Sequence, residues 1–126
     1  MAYVGIVTLM MLVQCIAFSL QVGRQRLAHD IEAPRTSGHE LFDRAYRIHM
    51  NTLEQLVIAL PSMWLCASFF SPVVAAVLGL AFVIGRLLYA LGYMADPKKR
   101  GPGMGIGFLA YVAMIGCALW GMVAHL

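Results

Sequence analysis

QLVIALPSMWLCASFFSPVVAAVLGLAFVIG, residues 55–85, contains no Asp, Glu, Lys or Arg. A helix needs about 20 predominantly apolar residues to cross hydrocarbon, so this run is too long for a single crossing. Phe69-Phe70-Ser71-Pro72 divides it. Pro72 suits the first turn of a new helix, where its missing N–H would have had no partner. The stretch therefore predicts a hairpin of two membrane helices, over residues 43–70 and 72–94. Pro61 lies inside the first and is expected to loosen or bend it, which neighbouring helices in lipid can tolerate.

Two further spans flank the hairpin. Met1 to Gly23 carries no charged side chain, and no basic start or small-residue cleavage site marks it as a signal peptide, so it reads as a helix over 2–23. Gly101 to Leu126 is also free of Asp, Glu, Lys and Arg and predicts a helix over 103–125, whose first turn Gly103, Gly105 and Gly107 are expected to make irregular. The connections are polar. Arg24, Arg26, Asp30, Glu32, Pro34, Arg35, Glu40 and Asp43 mark the first, and Asp96-Pro97-Lys98-Lys99-Arg100 the second. The expected fold is an all-α integral membrane protein, a four-transmembrane-helix bundle forming one domain over residues 1–126.

Composition agrees. Hydrophobic residues make up 61% and charged residues 12% of the chain, about half the charge of a soluble domain. The net charge of +3 is too small, and sits too close to apolar segments, to suggest nucleic acid. Cys15, Cys66 and Cys117 each lie within an apolar span, without metal-ligand or CxxC spacing, and read as buried thiols. No metal site is expected.

All nine Arg and Lys residues fall in the first and third connections or the helix ends beside them. The positive-inside rule then places these two loops in the cytoplasm and both termini outside. A bacterial inner membrane is favoured over the endoplasmic reticulum.

Polar residues inside the spans form two stripes. Arg47, Asn51 and Glu54 are spaced i, i+4, i+7, and Arg86, Tyr89 and Tyr93 are spaced i, i+3, i+7, so each set lies on one helix face near the charged loops. Ionisable groups in membrane helices usually face a bundle interior or a cavity. Two readings stay open. Glu54 could pair with Arg47 or Arg86 to hold helices together, with the tyrosines as interfacial residues. Alternatively, the stripes line a pocket opening toward the charged side. His49 lies about 200° round the helix from Arg47 and faces a different neighbour. Arg26, Arg47, Arg86 and Arg100 against the single pocket carboxylate Glu54 suit an anion that carries one ammonium. Glutathione fits that description: guanidinium forks suit its carboxylates, and an arginine near its sulfur favours thiolate.

The stretch Arg47-Ile48-His49-Met50-Asn51-Thr52-Leu53-Glu54 resembles the R-x-x-x-N-x-x-E signature of the membrane-associated proteins in eicosanoid and glutathione metabolism. Gly85-Arg86-Leu87-Leu88-Tyr89-Ala90-Leu91-Gly92-Tyr93 resembles the third-helix motif of that family. Phe18-Ser19-Leu20-Gln21-Val22, followed by Arg24 and Arg26, is similar to the end of helix one in its leukotriene-forming branch. The resemblance implies a homotrimer binding glutathione between subunits near the cytosolic side. It implies that Arg47, Asn51, Glu54, Tyr89 and Tyr93 hold glutathione, that Arg26 reaches in from a neighbouring subunit, and that Arg100 activates the thiol. His49 matches a histidine of the prostaglandin-forming branch. The chain departs from the eicosanoid pattern in carrying Gln55 after the motif Glu, and Lys98 and Lys99 stand where a small loop shift would exchange them with Arg100. These features are similar to those of small bacterial members.

The leading expectation is thus a glutathione transferase acting on lipophilic electrophiles that arrive from the bilayer, with peroxidase activity toward lipid hydroperoxides and a role in detoxification. Arg100 is its catalytic residue, Arg26, Arg47, Asn51, Glu54, Arg86, Tyr89 and Tyr93 bind glutathione, and His49 and Gln55 stand behind them. The alternatives are a non-catalytic module that binds and presents membrane lipid, and a small transporter or scaffold held by structural ion pairs.

Overall fold

The computed structural model describes all residues, 1–126. Four helices follow one another: α1 (Ala2–Ala28), α2 (Glu40–Phe69), α3 (Pro72–Ala95) and, after a 3-10 turn at Pro97–Arg100, α4 (Gly101–Ala124). Each contains an apolar stretch with at most two charged side chains. At 1.5 Å per residue each is long enough to cross a hydrocarbon core of about 30 Å. Only 31 of 126 residues are buried, and large apolar side chains such as Leu9, Val57, Val77 and Leu109 point outward. A soluble bundle would hide that surface; here lipid covers it. The protein is an all-α multi-pass membrane bundle.

Local chemistry sets the helix starts. His39 caps α2, its Nδ1 accepting from the Leu41 amide at 3.1 Å, and Glu40 and Asp43 add negative charge to the first turn. Ser71 caps α3 through its Oγ, which accepts from the Val74 amide at 3.3 Å, and Pro72 follows at the first helical position.

Three details differ from the sequence expectation. α1 runs to Ala28 and α2 begins at Glu40, because helical hydrogen bonding continues into water beyond the residue where charge begins. α2 starts three residues earlier than expected, and Pro61 lies within its continuous span, one missing donor being tolerated in a packed bundle. The start of α4 is regular, and its glycines serve close approach. A side chain at Gly103 would meet the backbone of Tyr89 and Gly85, and one at Gly85 would meet the Gly107 amide. Small residues let membrane helices approach backbone to backbone, as α3 and α4 do here.

The main core gathers Val4, Val7 and Met11 of α1, Ala59, Met63 and Cys66 of α2, Ala75 and Phe82 of α3, and Ala110, Tyr111 and Met114 of α4. Cys66 is buried, Cys15 and Cys117 are half-buried, and all three are free thiols. Toward the charged loops the packing changes. Phe18, Ile48, Tyr89 and Ala90 form a smaller cluster, and Val22, Ile31, Phe42 and Ala45 a third that anchors the first loop through Ile31. Arg44 fastens α2 to the end of α3, donating to the Met94 carbonyl at 2.8 Å while pairing with Glu40.

Candidate functional site

The two polar stripes meet at the charged end. Arg47 and Asn51 of α2, Tyr89 and Tyr93 of α3, Arg100 of the 3-10 turn and Met104 of α4 line one cavity of about 290 Å³. The Tyr89 and Tyr93 rings lie 5.6 Å apart, one turn from each other on the same face. Arg100 is exposed, its guanidinium 5.9 Å from the Tyr93 ring, with Nη1 donating to the Pro97 carbonyl at 3.4 Å. Arg100 makes no ion pair. Its charge is therefore available to a ligand.

Arg86 sits behind the cavity wall, 1% exposed. Its Nη2 donates to Asn51 Oδ1 at 2.8 Å and to Thr52 Oγ1 at 3.0 Å, and its Nη1 reaches Met104 Sδ at 3.7 Å. The guanidinium lies over the Tyr89 ring, 4.1 Å from its centre. Thr52 passes the chain on by donating to the Ile48 carbonyl at 2.8 Å. No carboxylate pairs with Arg86, and its Nε has no partner. The sequence left Glu54 free to pair with Arg47 or Arg86. In the structure it lies 4.0 Å from Arg47, both side chains more than half exposed, and Arg86 takes neutral partners.

The remaining candidates lie outside the cavity lining. Arg26 is held elsewhere, donating to the Arg35 carbonyl at 2.6 Å and lying over the Phe42 ring at 4.8 Å. With Arg24, Asp30 and Glu32 it lines a separate groove. His49 and Gln55 are half-buried; His49 lies on another face of α2, and Gln55, one turn beyond Asn51, does not line the cavity. The sequence reading overlooked Thr52 and Met104. Thr52 stands within the polar stretch and was legible as an intramembrane hydroxyl; Met104, in an apolar helix, carried no signal.

Around the cavity the positive charges of Arg47, Arg86 and Arg100 outnumber the one carboxylate near them, Glu54, which lies 4.0 Å from Arg47. Tyrosine hydroxyls and the Asn51 amide supply neutral hydrogen-bonding groups. Guanidinium forks pair with carboxylates in bidentate fashion, and their strength rises where water is scarce. The fold and site together define a multi-pass membrane protein with a cavity lined by arginine, tyrosine and asparagine side chains at one end of its bundle.

The MAPEG family model matches residues 4–120, and the chain belongs to that family. It is similar to an uncharacterized protein from Synechocystis sp., 41% identical over 100 residues, spanning 79% of this chain and 73% of the relative. Human microsomal glutathione S-transferase 2 is 36% identical over 101 residues, spanning 79% of this chain and 69% of the relative. Leukotriene C4 synthase from Cavia porcellus is 32% identical over 124 residues, spanning 98% of this chain and 83% of the relative. These relatives support a glutathione-related function in the membrane.

Proposed function

We propose that the chain is a membrane-bound glutathione S-transferase that joins the glutathione thiolate to lipophilic electrophiles. The observation that carries this reading is the convergence of Arg47, Asn51, Tyr89, Tyr93 and Arg100 on one cavity, in a chain whose relatives include a microsomal glutathione S-transferase. Arg47 takes a carboxylate of the tripeptide and Glu54 its ammonium. Arg100, unpaired at the mouth, stabilises the thiolate and so raises the fraction of reactive sulfur at neutral pH. The thiolate attacks an electrophilic carbon, a carbon–sulfur bond forms, and the leaving group departs with the carbon's former bonding pair.

The apolar partner enters laterally from the bilayer. With a lipid hydroperoxide, two glutathione molecules reduce the peroxide to the alcohol and water and leave as the disulfide. The working unit is a homotrimer in which Arg26 of one subunit reaches the cavity of the next. This reading rests on the family resemblance and on the position of Arg26 outside its own subunit's cavity. The charged loops face the cytoplasm and the termini face outward, in a bacterial inner membrane.

Calorimetric titration of detergent-purified protein with glutathione tests the reading, together with the ultraviolet absorbance of the bound thiolate. Saturable binding with a thiolate band is expected. A flat titration without thiolate would remove the transferase assignment.

A further inference from the structure

Arg86 has the charge of a ligand-binding residue but not the access. It is 1% exposed, absent from the cavity lining, and spends two donor contacts on Asn51 and Thr52. A guanidinium has donors only, so the Asn51 atom facing it must be the amide oxygen. That chemistry settles the amide's orientation, which coordinates alone often leave ambiguous. The Asn51 nitrogen consequently points away from Arg86. It has no partner within the chain, is not sealed off, and belongs to a residue lining the cavity. The ligand therefore meets two N–H donors and no acceptor at this position.

We infer that Arg86 is a positioning residue that fixes Asn51 as a one-way hydrogen-bond donor, so that its side-chain N–H groups donate only to a carboxylate or carbonyl oxygen of the ligand. The inference rests on the glutathione reading for the identity of that ligand. It divides the tripeptide's polar groups between the stripes: acceptor oxygens go to Arg47, Asn51 and the tyrosines, and the ammonium to Glu54. The neutrality of these partners has a second consequence. Because no carboxylate neutralises Arg86, its charge polarises the Asn51 amide and strengthens the donors on the cavity side. Lysine is a poor substitute: Nη2 serves Asn51 and Thr52 while Nη1 reaches Met104 and the guanidinium plane lies over Tyr89, and a compact ammonium cannot make all of these contacts at once.

Asn51→Asp separates this role from a merely structural one. The aspartate keeps an oxygen for Arg86 and gives the buried guanidinium a counter-charge, but turns an acceptor toward the ligand. Asn51→Ala removes both functions. Melting temperatures in detergent should therefore order Asn51→Asp at or above the native chain, with Asn51→Ala below both. Glutathione affinity should order oppositely between the variants: about tenfold weaker for Asn51→Ala and about a hundredfold weaker for Asn51→Asp. Arg86→Lys should weaken binding severalfold alone and add nothing in the Asn51→Ala background. Affinity that follows melting temperature, or an Asn51→Asp variant that binds at least as well as Asn51→Ala, would overturn the donor assignment. A further loss from Arg86→Lys on top of Asn51→Ala would overturn the indirect role by showing that Arg86 touches ligand. If the native chain does not bind glutathione, the transferase reading fails on its own. The melting order then decides the Arg86–Asn51 contact: Asn51→Asp melting below Asn51→Ala overturns it, and melting at or above the native chain supports it.

Discussion

Gly121 of α4 lies against the Phe69 carbonyl at one end of the bundle, and Gly103 of the same helix lies against the Tyr89 backbone at the other. Both contacts exclude even a methyl group. Beyond that likeness the ends diverge. At the apolar end the space between helices is filled by the buried side chains of Met63, Cys66, Ala67 and Ala75. At the charged end the equally close α3–α4 contact lies beside Arg86, which bonds across to Asn51 and Thr52 of α2 next to an open cavity. Close packing thus serves stability at one end and alignment at the other. A buried guanidinium without a carboxylate costs several kcal/mol in a membrane interior. Its hydrogen bonds and the Tyr89 face offset part of that cost, and the remaining field is directed at the cavity.

Loss of Arg100 should produce the largest effect at the charged end. Arg100→Ala is expected to lower conjugation turnover by about a hundredfold, the scale seen when a single donor to a developing anion is removed. Glutathione affinity should change far less. Steady-state kinetics with an apolar electrophile check it, and turnover equal to the native chain would remove Arg100 from catalysis.

The two glycines permit a direct contest between the ends. Gly103→Val and Gly121→Val both force a side chain into backbone that cannot yield, at a cost of about 1–3 kcal/mol or more. Both should melt earlier in detergent. Gly103→Val should also lose glutathione binding by more than about tenfold, because Tyr89 shifts with it; Gly121→Val should keep native affinity. Equal loss of binding in both would break the distinction between a packing end and a site end.

Glu54→Gln is a milder probe. It should weaken glutathione by about tenfold through loss of the charged partner to the ammonium, leaving melting temperature and assembly unchanged because Glu54 is more than half exposed. Impaired assembly with native affinity would instead favour the scaffold reading.

The smallest effect belongs to Gly105. Nothing stands within 4 Å of a side chain there, unlike at Gly103 two residues earlier. Gly105→Ala should leave binding intact and raise stability by up to about 1 kcal/mol through helix propensity. Destabilisation on thermal denaturation would show that the charged end of α4 is more tightly built than the contacts at Gly103 imply.

Much of this was legible in residues 1–126 taken as a line of text. The charge-free runs gave four crossings because hydropathy is a local property of each span. The i, i+4, i+7 and i, i+3, i+7 spacings placed Arg47 with Asn51, and Tyr89 with Tyr93, on shared faces because the helical period is fixed by the backbone. The roles of the α4 glycines were misjudged for a complementary reason: propensity counts a glycine's cost within its own helix and is blind to a neighbour pressed against it. Arg86 shared its stripe with Tyr89 and Tyr93, yet only the tyrosines reached the cavity.

The sequence by itself determined the number of crossings, the end where charge collects and the set of polar side chains available there. Tertiary structure alone decided that Arg86 meets Asn51 and Thr52 while Glu54 remains near Arg47, and that Arg26 stands apart from its own cavity. Those choices depend on the rotation and axial offset of α2 against α3, which are set by van der Waals fit at positions far apart in the chain. A shift of one residue along either helix would turn a side chain by about 100° and rise 1.5 Å, enough to exchange one partner for another.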